Sequence, residues 1–227
     1  MALILSIESA TKNCSVALAA DGEVIALKEL HEEKFSHAEK LHSFILEVMA
    51  SSNRKLAELD AVAVSKGPGS YTGLRIGVSA AKGLCYALGK PLISVPTLES
   101  LARQIEMTEK GVVVPLLDAR RMEVYSAVYN DHFEEIRETR AEIIEAGSFS
   151  DYLNDNKVFF LGDGASKTRE VINHPNAVFV KDRFPSAREM ARIAEKKAAA
   201  EQYEDLAYFE PFYLKDFVAG KPKRYLT

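Results

Sequence analysis

Two stretches of the sequence place an acid at the end of an apolar run, then a tight turn, then a second apolar run. They are Glu8-Ser9-Ala10-Thr11-Lys12-Asn13 and Asp118-Ala119-Arg120-Arg121-Met122-Glu123. A turn that holds a phosphate brings backbone N–H groups close to the phosphate oxygens, which favours glycine. Neither stretch contains a glycine, so Arg120 and Arg121 would have to act through their side chains. Bulky residues where a backbone must touch a nucleotide argue that hydrolysis has been lost. A third candidate, Gly67-Pro68-Gly69-Ser70-Tyr71-Thr72-Gly73-Leu74-Arg75, lies between a strand pattern and a helix pattern, where helix N-termini attract anions. No Lys-Ser or Lys-Thr follows at phosphate-loop spacing, and Thr72 stands where a dinucleotide fingerprint needs its third glycine. Of the five histidines, His37 and His42 are five apart and point about 140° from each other on a helix, so no metal site is expected. Ser9, Ser70 and Ser126 have no base nearby in sequence and no Gly-x-Ser-x-Gly elbow occurs, so no catalytic residue is assigned.

The elements that position these stretches follow from hydrophobic periodicity. Residues 3–8, 14–20 and 23–30 read as three strands, the last two joined by Asp21-Gly22, a tight-hairpin dipeptide. Ser36 and Glu39 form a capping-box pattern ahead of Leu41, Phe44, Ile45, Val48 and Met49 at helical spacing. A strand over 61–64, a helix over 71–88 ending at Gly89, a strand over 92–95 and a helix over 97–105 complete this half. The order then restarts: strands over 112–117, 123–129 and 133–136, a short helix over 148–153, a strand over 158–161, a helix over 166–173, a strand over 177–180 and a helix over 186–201. A repeated topology at half the chain length predicts two related α/β domains, residues 1–108 and 109–227. The aromatic segment Tyr208 to Leu214 is expected to pack back on a domain or cover a cleft. Lys221, Lys223 and Arg224 read as a solvated basic tail, with a weak contact to RNA as the alternative.

In the helix over 71–88, Gly73, Gly77 and Ala81 recur every four residues, flanked by Ile76, Ala80, Leu84 and Ala87. A strip of small residues lets another helix approach closely. Packing within the domain and a helix-to-helix interface with a partner both fit.

Composition limits the remaining options. The 227 residues include 47% apolar and 27% charged, enough for a core without staples. The net charge of −4 has the wrong sign for a chain that grips nucleic acid alone. Cys14 and Cys85 both lie in apolar stretches and read as buried free thiols. The apolar start lacks a basic leader and breaks at Glu8, and no run approaches a membrane span, so a soluble cytoplasmic protein without membrane contact is expected.

The blocks Leu3 to Ser9, Cys14 to Leu18, Gly67 to Gly77, Pro91 to Leu98 and Leu117 to Tyr125 resemble the bacterial TsaB (YeaZ) family. The likeness is strong over the first 130 residues, includes Gly162-Asp163-Gly164-Ala165, and fades over the last 60. It implies a two-domain α/β fold of the actin/heat-shock-chaperone ATPase kind, a duplicated ribonuclease-H-like unit. It also implies a non-catalytic, cofactor-free role in adding threonylcarbamoyl to the adenosine beside the anticodon of tRNAs that read A-starting codons. The implied partners are the catalytic paralogue TsaD, the ATPase TsaE and, in isolation, a second copy of the chain, with tRNA met only indirectly. By the resemblance, Ser9, Thr11, Asp118, Arg120, Gly162 and Gly164 are remnants of phosphate turns. His37, Leu41, Phe44, Ile45, Val48, Tyr71, Gly73, Ile76, Gly77, Ala80 and Leu84 form the partner interface. The catalytic paralogue's His-x-x-x-His metal motif falls here on Thr97 and Leu101, which cannot hold iron or zinc. The rival reading is a stand-alone ATP-binding ATPase or kinase of the same superfamily.

Overall fold

A computed structural model describes residues 2–32, 36–107 and 110–215. The first half runs β1 (Leu3–Glu8), β2 (Asn13–Ala20), β3 (Glu23–His31), α1 (His37–Ser51), a 3-10 turn at Leu56–Glu58, β4 (Ala61–Gly67), α2 (Tyr71–Leu88), β5 (Leu92–Pro96) and α3 (Thr97–Ala102). The second runs β6 (Gly111–Asp118), β7 (Glu123–Tyr129), β8 (Glu135–Ile143), α4 (Ser150–Leu153), β9 (Lys157–Leu161), α5 (Ala165–Arg169), β10 (Ala177–Phe179) and α6 (Ala187–Ala199).

Two five-stranded sheets result, in the orders β3-β2-β1-β4-β5 and β8-β7-β6-β9-β10. In each, the first three strands meander antiparallel and the last two add in parallel. The two halves thus repeat one α/β sheet topology, the duplication that the order of predicted elements implies. The near-continuous apolar sequences of β1, β4 and β6 suit strands covered on both faces. Asp21 (φ 53°) and Gly22 (φ 77°) are both left-handed, as the tight hairpin after β2 requires.

Helices α1 and α2 cover one face of the first sheet, where Leu41, Phe44, Ile45 and Val48 pack with Leu5, Ile7, Val62 and Val64. The other face is covered by α6, whose Met190, Ile193 and Ala194 meet Ile4, Ala17, Ala63 and Ile93. Helix α3 leaves the first sheet and packs on the second, Leu98 and Leu101 against Val113, Leu117 and Leu161. Each half thus lends its last helix to the other, which ties the two together.

This exchange carries the chain across the expected boundary at residue 108/109. The two sheets do fall on either side of it, but α6 and the segment after it belong to the first half. Glu204 bridges to Leu92, Leu206 and Phe209 pack on the first core, and the Phe212 N–H donates to the Lys66 carbonyl at 2.7 Å. The aromatic C-terminal segment therefore packs back on a domain. The basic tail, Lys221, Lys223 and Arg224, lies outside the described residues.

Two local expectations also change. Ser36 precedes α1 but makes no side-chain cap, so the capping box is not formed there. By contrast, Ser186 caps α6 by accepting the Arg188 N–H. Strand β8 extends to Ile143 because its charged residues sit on an exposed edge, where charge is compatible with a strand.

Candidate functional site: the sheet-end turns and the outer face of the α1/α2 layer

The turn after β1 is interior except at Lys12, which is exposed. Glu8 and Ser9 are fully buried, and Ala10, Thr11 and Asn13 nearly so. Glu8 accepts the Ala10 N–H at 2.6 Å, and burial pushes its carboxyl up to about 7 against the hydrogen bonds that favour its charge. The Ser9 N–H donates to Ser65 Oγ (3.3 Å). His37 donates from Nε2 to the Thr11 carbonyl (2.7 Å), and burial holds its imidazole below the ordinary histidine range. His37 is a support for this turn rather than a surface residue.

What fills the space over the turn is the chain itself. The Ser70 N–H donates to the Ala10 carbonyl at 2.6 Å. A Cβ at Gly69 would lie 2.4 Å from the Ala10 carbonyl oxygen, and one at Gly73 would lie 2.2 Å from the Ser9 carbonyl oxygen. At Gly77 it would lie 2.1 Å from Ser9 Oγ. The strip of small residues on α2 therefore faces its own first turn and sheet. Close approach is its purpose, but the neighbour is β1 and not a partner helix. The α2 N-terminus is also occupied, since Ser70 Oγ accepts the Gly73 N–H. At the start of α6, the Pro185 carbonyl takes a hydrogen bond from Asn13 Nδ2 (2.9 Å), and Ser15 Oγ takes one from the Ala187 N–H (3.0 Å).

The second turn is more open. The Asp118 N–H donates to Asp163 Oδ1 (2.8 Å), and Asp118 in turn accepts the Arg120 N–H (2.9 Å) and an ion pair from Lys167. Arg120 (φ 73°) and Arg121 (φ 51°) are both left-handed. Gly162 (φ 102°) and Gly164 belong to the third turn, where a Cβ at Gly162 would meet the Leu116 carbonyl oxygen at 2.2 Å. These glycines serve the packing of the turn on β6. Thr97 and Leu101 are fully buried, and Thr97 Oγ1 accepts the Gly67 N–H. Among the described residues no cluster of three metal-ligating side chains occurs, and no helix is long and apolar enough to cross a membrane.

The predicted interface residues divide in two. His37, Leu41, Phe44, Ile45, Val48, Gly73 and Gly77 are buried in the chain's own core. Tyr71, Ile76, Ala80 and Leu84 remain partly exposed on α2. Beside them the structure exposes Leu46 (63%) on α1 and Tyr86 (84%) on α2, which lie off the apolar spacing that singled out the other residues. Arg75 lies over the Tyr71 ring (4.2 Å) and donates to the Tyr213 hydroxyl, and Lys82 holds the carbonyls of Ala207 and Phe209 (both 3.1 Å). One flank of α2 is thereby closed by the C-terminal segment.

The family model described as TsaD, tRNA N6-adenosine threonylcarbamoyltransferase, matches residues 31–223. The chain is 30% identical to the tRNA threonylcarbamoyladenosine biosynthesis protein TsaB of Escherichia coli K12, over 96% of both chains. It is 28% identical to the Haemophilus influenzae protein of the same name, over 96% of this chain and 95% of that one. Among solved structures, YeaZ from Pseudomonas aeruginosa superposes with a TM-score of 0.78 at 26% identity, covering 94% of this chain and all of that one. Matches of this extent, running through both halves of the fold, show that the chain belongs to the TsaB (YeaZ) family, within the wider TsaD-type family.

Proposed function

We propose that this chain is a non-catalytic subunit in tRNA threonylcarbamoyladenosine biosynthesis, which docks on a catalytic TsaD-type paralogue, serves with the ATPase TsaE, and pairs with its own copy when the paralogue is missing. The carrying observation is that Gly69, Ser70, Gly73 and Gly77 of the same chain pack on Ser9 and Ala10 of the turn after β1, so a phosphate has no approach to the backbone there. Glu8, the acid at that turn, is sealed with it. A chain that keeps the fold of an ATPase while filling its first phosphate turn is suited to binding a protein.

The docking face in this reading is the outer surface of the α1/α2 layer, with Leu46, Ile76, Ala80, Leu84 and Tyr86 as its apolar residues. An exposed leucine and tyrosine on neighbouring helices, beside half-buried aliphatic residues, form the kind of amphipathic patch that interfaces bury. The test is co-elution of the full chain with the purified paralogue. Leu46→Glu combined with Tyr86→Glu abolishes the complex while circular dichroism and the melting temperature stay near wild type. An unchanged complex refutes the docking face. Turnover of Mg-ATP by the chain alone favours the rival ATPase.

A further inference from the structure

We propose that the loops following β6, β9 and β10 form a contact surface for the phosphodiester backbone of tRNA, centred on Arg120, Arg121, Lys181 and Arg183. The inference rests on the reading that the chain serves tRNA modification, and it adds a direct RNA contact to that reading.

Charge is strongly segregated in the second half. Residues 119–122, 162–170 and 180–184 hold six Lys and Arg against three Asp and Glu, whereas the rest of 110–186 holds four against ten. The acids bordering the β6–β7 turn are already neutralised, Asp118 by Lys167 and Glu123 by Lys215. Arg120 and Arg121 have no ion pair among the described residues, and neither do Arg169, Lys181 and Arg183. Beside the turn lies a cavity of about 680 Å³ lined by Arg169, Lys181 and Arg183, with Phe179 and Phe184 as apolar walls. Asp163, Glu170 and Asp182 also line it, so the cationic surplus comes from the turn.

The turn itself is strained. Two consecutive arginines sit in the left-handed region, which residues that carry a Cβ enter only at a cost. Strain kept at two exposed cations points to a use for their side chains. A free nucleotide fits less well than a polymer, because the turn has no glycine to bring its backbone to a terminal phosphate. Gly162 is in addition consumed by contact with Leu116. Side-chain cations spread over three loops match phosphates spaced along a strand, and an aromatic-walled cavity beside them suits an unstacked base.

The experiment measures binding of fluorescently labelled tRNA to the full chain by anisotropy, at several KCl concentrations, for wild type and the double variant R120G/R121G. Glycine fits the left-handed turn, so the variant keeps a melting temperature at or above wild type while removing both cations. The expected result is at least a 10-fold loss of affinity at 100 mM KCl. The slope of log affinity against log salt should become shallower by about 1.5, as two lost phosphate contacts require. Equal affinity of variant and wild type overturns the proposal. So does failure of the wild type to bind tRNA at 50 mM KCl, or displacement of the tRNA by micromolar ATP. A separate reconstitution of tRNA modification reads the underlying function: no dependence on this chain there would refute that reading and leave the anisotropy result standing on its own.

Discussion

Replacing Glu8 by glutamine isolates the energetic consequence of sealing an acid beneath the first turn. The carboxyl is fully buried and titrates near 7 instead of the ordinary 4.5, mainly because burial disfavours its charge. Below pH 4.5 it is protonated in both folded and unfolded chains, and folding keeps the full contribution of the neutral group. As pH rises from 4.5 the unfolded chain loses its proton while the folded chain retains it, so stability falls by about 1.4 kcal/mol per pH unit. Above pH 7 the loss is complete, at about 3 kcal/mol. Glutamine cannot ionise and retains a carbonyl oxygen to accept the Ala10 N–H. In urea unfolding at matched pH, the variant should therefore gain on wild type by about 3 kcal/mol between pH 4.5 and pH 8.5, whatever its offset at low pH. The midpoint difference between the two proteins is the quantity to follow, because other carboxylates titrate equally in both. A difference that stays constant across this range would refute the assignment of a neutral, desolvated Glu8.

Further outcomes follow from the same packing. Burial pushes the thiols of Cys14 and Cys85 up to about 11, so neither should react with iodoacetamide at pH 8 until urea unfolds the chain. Gly77→Ala should destabilise by about 1–3 kcal/mol in the same urea assay, because the new methyl meets Ser9 Oγ, and adding Ser9→Ala should recover part of the loss. Met190→Ala should cost about 2–5 kcal/mol and raise hydrogen exchange in β1 and β4 of the first sheet, since α6 is that sheet's second cover.

The fold was legible because its signals are local and repeated. Alternating or unbroken apolar runs mark the strands, Asp21-Gly22 marks a turn, and Gly89 ends α2 in the left-handed conformation. Strand β8 was read short because Glu135 to Glu142 is mostly polar, and only its pairing with β7 reveals a strand. The return of α6 to the first sheet has no local signature: an amphipathic helix looks the same whichever sheet it covers. The site divided along the same line. Small residues every four positions on α2 correctly announced a close approach, but the identity of the neighbour depends on tertiary arrangement, and it is the Ser9 turn. The apolar stripe of α1 likewise identified a buried face, and burial in the chain's own core leaves Leu46 on the opposite side as the residue open to a partner. The strained arginine pair lay in plain view in the sequence, yet its left-handed backbone becomes evident only in the structure.

The central claim is that this chain enables a catalytic paralogue rather than performing chemistry itself. Threonylcarbamoyladenosine formation on tRNA, reconstituted from the purified paralogue and TsaE with and without this chain, tests it most directly. The account predicts modification that requires the full chain, persists when Glu8→Gln replaces wild type, and disappears with Leu46→Glu/Tyr86→Glu. Modification at an undiminished rate without the chain, or lost on Glu8→Gln in a folded protein, would contradict it.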